Sequence, residues 1–434
     1  MSAAGGRYFA ICDANNFYAS AERVFAPELT HRPVVVLSNN DGCVIARSQE
    51  AKDLGIEMGT PYFQLRDRAY VKALSSNYTL YGDMSRRLMN VLGRHCHDLE
   101  VYSIDEAFME LRLHGQTPES LVTWATELRA EALRLTGLPT SIGIGRTKVL
   151  AKLASHAAKR IYRTDAHYLG PNDDLLGEIP VGKVWGAGRA YVRRLGEVGV
   201  TTAAGLRDID EEWMRRQFGV VGQRLVRELR GESCLPLSAG PPPRANVMVS
   251  RSFPHDISDV GELERRMALF ASRLGEKLRD AGRQTSHLTA YTWFNPHKLP
   301  PRDARGYSRS VQLPLATNHD SHLVAWSRAA LRSQLLPGHA YKKIGVMATE
   351  LIDAGATQTS LLASGEKHVR DRRAMDVIHD INRRYGRGTV YVAACGESPR
   401  ELPLRRDRHS PRYTTRSSDL APVYAATALR RGSA

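Results

Sequence analysis

Apolar residues in this chain alternate between strand-length runs and helical stripes. Tyr8 to Cys12 is an apolar run that stops at Asp13, and Val34 to Leu37 is a second one, short enough to predict buried strands. Between them, Asn15 to Glu22 reads as a loop turning into a helix. Asn39-Asn40-Asp41-Gly42 carries turn chemistry, and Cys43 to Ala46 follows as a strand. A short helix around Glu50 is expected to end at Gly55. Asp83 to Leu92 predicts a helix, and Glu100 to Leu111 two short strands around Ile104-Asp105-Glu106. Leu121, Trp124, Ala125, Leu128, Ala132 and Leu135 keep the spacing of an amphipathic helix. Thr140 to Gly145 predicts a strand entering a glycine turn, with a helix from about Lys148 to Arg160. Up to about residue 165 the pattern therefore predicts an α/β or α+β domain.

Residues 175–235 read as all-helical, and Pro236 with Pro241-Pro242-Pro243 as a stiff linker. Beyond it, a strand near 246–252, a helix from Val260 to Ala281, strands near 284–294 and 308–315, a helix near 319–335 and a strand near 342–351 give the order β-α-β-β-α-β. That order fits a compact split-βαβ domain. From about residue 353 the periodicity weakens, and no fixed-period repeat is present.

Composition narrows the class. The 434 residues carry 61 Lys and Arg against 46 Asp and Glu, a net charge of +15, which points to a polyanionic partner, nucleic acid first. No run of 18 or more apolar residues exists, so no membrane span is expected. Met1 to Arg7 has no hydrophobic signal core. The five cysteines are scattered, with no Cys-x-x-Cys pair, so a zinc ribbon or disulfide framework is not indicated and a reducing cytoplasm is expected.

Four constellations carry chemistry. Asp13 ends one predicted strand, and Asp105-Glu106 lies in a turn between two others. Two-metal phosphoryl chemistry needs several carboxylates converging like this, and hard oxygen ligands suit Mg²⁺. An isolated acidic pair is ordinarily a solvated turn, as Asp210-Glu211 would be. Asn16-Phe17-Tyr18 places aromatics just after the first carboxylate, either against a nucleotide sugar or as core anchors. Lys148, Lys152, His156 and Lys159 recur at helical spacing, a face for triphosphate or DNA backbone or a plain solvated stripe. Further along, Val184-Trp185-Gly186-Ala187-Gly188-Arg189 reads as a helix-hairpin-helix turn, whose backbone amides can meet a DNA phosphate without reading sequence. The Arg-, Ser- and Thr-rich tail 410–420 says nothing by itself.

Together these stretches resemble the Y-family translesion DNA polymerases. The resemblance rests on Cys-Asp-Ala-Asn-Asn-Phe-Tyr-Ala-Ser (12–20), residues 33–47, Ser-Ser-Asn-Tyr (75–78), Tyr-Ser-Ile-Asp-Glu-Ala-Phe (102–108), residues 147–154, Ser-Arg-Ser-Phe (250–253) and the tail 410–420. Residues 33–47 and 410–420 point to the UmuC branch rather than the DinB branch.

The resemblance implies an α+β multidomain fold: a right-hand polymerase with a mixed-sheet palm (8–30 and 75–165), small fingers (31–74), a helical thumb with a helix-hairpin-helix (166–240), a split-βαβ little finger (243–351) and a C-terminal partner-binding tail (352–434). It implies that Asp13, Asp105 and Glu106, with the backbone carbonyl of Ala14, bind two Mg²⁺ ions. Tyr18 would be a steric gate against a 2′-hydroxyl, Phe17 and Tyr18 would offer backbone amides, and Lys52 and Lys159 would contact the triphosphate. Gly186, Gly188 and Arg189 would bind DNA. The implied substrates are primer-template DNA and dNTPs. The implied partners are a processed UmuD homodimer, RecA and a sliding clamp, with action at the nucleoid during the SOS response. Gln358, Leu361 and Leu362 stand where the clamp motif is expected. Two anchors of that motif are altered, so weaker clamp binding is expected. Pro254 replaces a usual Gly. The rivals are a non-catalytic DNA-binding scaffold and a two-metal nuclease; neither needs a steric gate.

Overall fold

The computed structural model describes residues 6–113, 116–162, 164–238, 240, 244–298, 305–355, 365–396 and 404–420. The chain forms two compact units, residues 1–241 with 406–434, and residues 242–405.

The first unit is organised by a five-stranded sheet of order β5-β6-β1-β7-β8. Its strands are β1 (Gly6–Ala14), β5 (Asp98–Val101), β6 (Glu106–Leu113), β7 (Thr140–Gly145) and β8 (Ala166–Leu169). Strand β1 runs antiparallel to both β6 and β7, and β7 parallel to β8. The apolar run of β1 is continuous because both faces are covered. Tyr8, Ala10 and Cys12 join the core beneath α3 (Tyr78–Leu92) and α4 (Pro118–Thr136). Phe9 and Ile11 point the other way, with Phe108 and Ala151 of α5 (Lys148–Ala157). Helix α5 approaches β7 so closely that a Cβ on Gly143 would lie 2.1 Å from the backbone nitrogen of Ser155.

Helix α3 starts at Tyr78, ahead of the predicted Asp83, because the Asn77 carboxamide accepts from the Leu80 amide and caps it. After Ala157 the helix widens into a π-turn over 158–162, so Lys159 leaves the register of Lys148 and Lys152.

A three-stranded sheet, β3-β2-β4, is built from β2 (Val34–Leu37), β3 (Val44–Arg47) and β4 (Lys72–Ser75), beside α1 (Phe17–Phe25) and α2 (Gln49–Asp53). The remainder of the unit is helical, with α6 (Arg189–Gly196), α7 (Ala203–Asp208) and α8 (Glu211–Leu229) around their own apolar cluster. The proposed linker prolines 241–243 lie outside the described residues.

The second unit follows the expected order: β9 (Val247–Ile257), α9 (Val260–Asp280), β10 (Arg283–Trp293), β11 (Tyr307–Thr317), α10 (Asp320–Arg332) and β12 (Tyr341–Asp353). The sheet runs β11-β10-β12-β9, all antiparallel. Pro254 lies in β9, an edge strand where a missing amide is tolerated. Helix α11 (Gly365–Tyr385) follows, where weak periodicity gave no helix. Met375 of α11 is buried beside the Arg279–Asp320 ion pair, which is itself buried at 2.7 Å.

The tail expected over 352–434 divides between the units, up to residue 405 with the second and from 406 with the first. Residues 406–420 pack on the first unit: Ser75 and His409 form a parallel β-bridge alongside β4, an edge strand. Buried polar groups of the first unit, Asn77 as donor, Glu22 as acceptor and Ser75 as both, hold this segment instead of apolar periodicity, and hydropathy therefore gave no sign of it.

Candidate active site

Asp13 and Glu106 are register partners across β1 and β6, as are Ile11 and Phe108 two residues inward. The two carboxylates thus leave the sheet on the α5 side. Asp105 joins them at the turn, where its carbonyl accepts from the Ala14 amide at 2.9 Å. The Asp105 carboxylate accepts from the Ser103 hydroxyl at 2.6 Å.

Like charges opposite one another on a sheet repel, and here cations offset them. Lys159 pairs with Asp13, and Lys152 reaches Glu106 at 3.2 Å. The Glu106 carboxyl is nevertheless held above the usual range by burial, with Asp13 and Asp105 adding to the rise against the pull of Lys152. Lys152 also lies 4.4 Å over the Tyr102 ring and 5.6 Å over that of Trp185, while the Trp185 indole donates to the Tyr102 hydroxyl at 3.1 Å.

A cavity of about 1030 Å³ opens beside these carboxylates and is lined by Asp13, Ala14, Tyr18, Arg47, Lys52, Asp105, Lys159 and Arg160 among others. The cations of its lining, Lys52, Arg47, Lys159 and Arg160, cluster into a cationic wall, which Lys159 ties to Asp13. Lys52 donates to the Asn16 side chain at 2.5 Å. Burial and then the neighbouring Arg160, Arg47 and Lys159 hold its ammonium below the ordinary lysine range. Asn16, at φ 54, takes the left-handed conformation just before α1, a geometry that Asn tolerates better than most residues.

Tyr18 stacks on Tyr81, with centroids 4.3 Å apart and planes 13° from parallel, and meets Tyr78 edge-on at 6.1 Å. Burial, followed by Tyr78 and Asp105, pushes its hydroxyl pKa up. Phe17 is a core residue by its side chain, 3% exposed, so its offer to the cavity is backbone.

The stripe of cations separates. Lys148 is buried and bonded to Glu100 at 2.6 Å and to the Pro236 carbonyl, so it is a structural tie and not a phosphate contact. His156 is half-buried, its pKa lowered by burial, then by Lys183 and Arg160. Arg47 and Arg160 were missed as site residues. Arg47 is the last residue of the quoted 33–47 stretch, and Arg160 directly follows Lys159, so position could have flagged both.

At the hairpin, Gly186 has φ 98, a conformation that favours glycine, and Gly188 is the N-cap of α6, which begins at Arg189. The amide of Gly188 is already spent on the Gly186 carbonyl at 3.1 Å. The hairpin therefore has the first-turn amides of α6 to offer a phosphate. Gln358, Leu361 and Leu362 lie outside the described residues.

The carboxylate set is of the hard-oxygen kind that suits divalent cations. With lysines paired into it, no group of three or more His, Cys, Asp or Glu side chains among the described residues closes into a metal cage as it stands.

The impB/mucB/samB family matches residues 12–156, and the C-terminal domain of that family matches residues 244–361. The chain belongs to the Y-family DNA polymerases. Within that family it is 40% identical over 423 residues to the protein UmuC of Salmonella typhimurium, covering 96% of this chain and 100% of that protein. It is 30% identical over 318 residues to a DNA polymerase IV of Corynebacterium diphtheriae, covering 71% of this chain and 67% of that protein. A Y-family polymerase chimera, Dbh-Dpo4(243-245)-Dbh, shares the fold with a TM-score of 0.64 at 20% identity, over 80% of this chain and 99% of that one. Residues 372–423 match a domain of unknown function (DUF4113).

This Y-family polymerase is thus a DNA-directed, divalent-metal-dependent enzyme of error-prone translesion synthesis with the right-hand architecture. The scaffold reading falls away. No helix among the described residues is long and apolar enough to cross a membrane, and all five cysteines are free.

Proposed function

We propose that Asp13, Asp105 and Glu106, with the Ala14 carbonyl, hold two Mg²⁺ ions at the carboxylate wall, and that the cationic wall receives the triphosphate of an incoming dNTP. The observation that carries this is the pairing of Asp13 and Glu106 on one sheet face, beside a single cavity whose lining brings Asp13 and Asp105 together with Lys52, Arg47, Lys159 and Arg160. When bound, Mg²⁺ supplies Lewis-acid stabilisation of the attacking and leaving oxygens of an in-line displacement. The chain's own residues do the rest. Lys52 and the two arginines neutralise and orient the phosphates before chemistry, which is where most catalysis of phosphoryl transfer lies. Tyr18, fixed by stacking, crowds the sugar and excludes a 2′-hydroxyl. Lys152 and Lys159 keep the carboxylates paired until cations take over their neutralisation.

We assign the parts of the hand as palm 8–30 and 75–165, fingers 31–74, thumb 166–240 and little finger 243–351. A processed UmuD homodimer, RecA and a sliding clamp are proposed as partners in the SOS response at the cytoplasmic nucleoid. Clamp binding through Gln358, Leu361 and Leu362 is testable on a 354–366 peptide by surface plasmon resonance. Binding unchanged by Gln358→Ala excludes the motif.

Primer extension on an abasic template with Mg²⁺ tests the site. Asp105→Ala abolishes extension, whereas a variant that still extends primers overturns the carboxylate assignment. A shortened primer in place of an extended one identifies a nuclease.

A further inference from the structure

One face of α1 connects the cavity to the C-terminal segment. Tyr18, Glu22 and Phe25 are spaced i, i+4 and i+7 and lie on one side of the helix. Tyr18 stacks on Tyr81. The Tyr81 hydroxyl donates to the Glu22 carboxylate at 2.7 Å. The Ser410 hydroxyl donates to the same Glu22 oxygen at 3.0 Å, and itself accepts from the Asn77 carboxamide at 2.9 Å. Asn77 is the cap of α3, the helix that carries Tyr81. Phe25 stacks on Tyr413 at 5.0 Å and 9°.

This linkage is sealed from water. Glu22 is 1% exposed, Asn77 and Tyr81 0%, and Ser410 7%. A buried carboxylate must have its partners or bear a heavy desolvation cost. The tail supplies one of the two partners Glu22 has here. Burial already lifts the Glu22 pKa, with Tyr81 and Ser410 pulling it down. Backbone pairing locks the tail in place: the Ser75 amide donates to the Arg408 carbonyl at 3.0 Å, and the Arg408 amide to the Ser75 hydroxyl at 3.1 Å.

We propose that the C-terminal strap 406–420 is a specificity-determining element of this polymerase: Ser410, through Glu22 and Tyr81, is a positioning residue for Tyr18 and sets how strictly the site rejects ribonucleotides. The inference rests on Tyr18 facing the nucleotide sugar. Tyr18 can resist a 2′-hydroxyl only if its ring cannot retreat, and the Tyr81 ring behind it is pinned by the hydroxyl bond to Glu22. Loss of Ser410 leaves Glu22 one partner short in a dry site, so Glu22 and Tyr81 reorganise and the ring plane behind Tyr18 loosens.

The test is single-nucleotide primer extension by the full chain with dNTP and rNTP, comparing kcat/KM for each. Ser410→Ala and Glu22→Ala are expected to lower dNTP-over-rNTP discrimination about fivefold, the effect of one lost buried hydrogen bond, chiefly by improving rNTP use while dNTP use is retained. Glu22→Gln keeps the accepting oxygen and is expected to restore wild-type discrimination. Tyr18→Ala is expected to lose discrimination most. Equal loss of dNTP and rNTP incorporation in Ser410→Ala makes the strap a mere structural support and overturns the proposal. Wild-type discrimination in Ser410→Ala and Glu22→Ala, with discrimination lost in Tyr18→Ala, overturns the coupling alone. Discrimination unchanged in Tyr18→Ala overturns the steric-gate reading and the coupling with it.

Discussion

Asp13 and Glu106 face each other in the β1–β6 register, and each is met by a different lysine from the helix α5 and its π-turn extension: Lys159 for Asp13, Lys152 for Glu106. Two carboxylates held opposite one another need countercharge, and the chain carries its own. That arrangement keeps the site folded before cations arrive and sets up a competition between ammonium and metal.

Lys152→Ala tests the competition. Glu106 then sits beside Asp13 and Asp105 with its cation gone, which destabilises the metal-free protein by about 1–2 kcal/mol, the scale of a lost charged hydrogen bond. Cation binding offsets that loss because it stabilises only the folded state. The Tm of Lys152→Ala in EDTA is expected below wild type, and its rise on adding Mg²⁺ larger than that of wild type. Thermal-shift titrations check both, and equal Mg²⁺-induced shifts in the two proteins count against the competition.

Gly143→Ala addresses how α5 is positioned. An added Cβ meets the Ser155 nitrogen at 2.1 Å and the Ala151 carbonyl oxygen at 2.2 Å. Both are backbone atoms, so no side chain can swing aside and the helix must move. Overpacking of this kind costs about 1–3 kcal/mol or more. The displaced helix carries Lys152 and leads into Lys159. Expected are a lower urea midpoint and a loss of primer extension larger than the loss of folded protein, read by circular dichroism and gel assay on the same preparation.

In the second unit, Glu264 on α9 accepts from Arg328 of α10 at 2.6 Å and pairs with Arg332 as well. These bonds, Arg332 foremost, hold its carboxyl below the usual carboxylate range. A lowered pKa means that the stabilisation is present above the unfolded-state pKa and is lost as pH falls through the folded one. Glu264→Ala is expected to cost about 1–2 kcal/mol at pH 7, discounted because Arg332 is largely solvated. The difference from wild type shrinks on acidification below about pH 4.3, the ordinary Glu value. Urea denaturation at pH 7 and pH 3.5 checks it; a gap that persists in acid assigns the loss to packing.

Much of this architecture was readable from the chain because its signals are local. The apolar run of β1 ends at Asp13, and the order β-α-β-β-α-β of the second unit follows from periodicity alone. What stayed hidden depends on distant partners. Lys148 and Lys152 share a helix face, yet one is buried against Glu100 and the other serves Glu106, a distinction made by strands β5 and β6. The strap carries no hydrophobic period, since Asn77, Glu22 and Ser75 hold it by hydrogen bonds to residues over 300 positions away. Lys159 left the predicted helical stripe because of the π-turn, which no spacing rule foresaw.

Lys52 offers the most direct reading of the cationic wall. It is half-buried, its ammonium bonds Asn16, and Arg47, Lys159 and Arg160 surround it with like charge. Such crowding is unfavourable in the empty cavity and is relieved by an anion, so part of the favourable energy of triphosphate binding is relief of repulsion. Lys52→Ala removes a charged hydrogen bond to phosphate and, with it, that relief. The KM for dNTP is therefore expected to rise about tenfold, from a loss of about 1.4 kcal/mol, the lost relief adding to the lost contact. Binding to primer-template DNA, measured by fluorescence anisotropy without dNTP, is expected to stay at wild-type strength, because no contact of Lys52 reaches beyond the cavity. Arg160→Ala, in the π-turn and close enough to act on Lys52, should raise KM similarly. The double variant should fall short of the sum of the two in log KM, since either single loss already removes the repulsion between Lys52 and Arg160. Steady-state kinetics on a single-nucleotide gap give all three values, and an unchanged KM in Lys52→Ala removes the triphosphate from this wall.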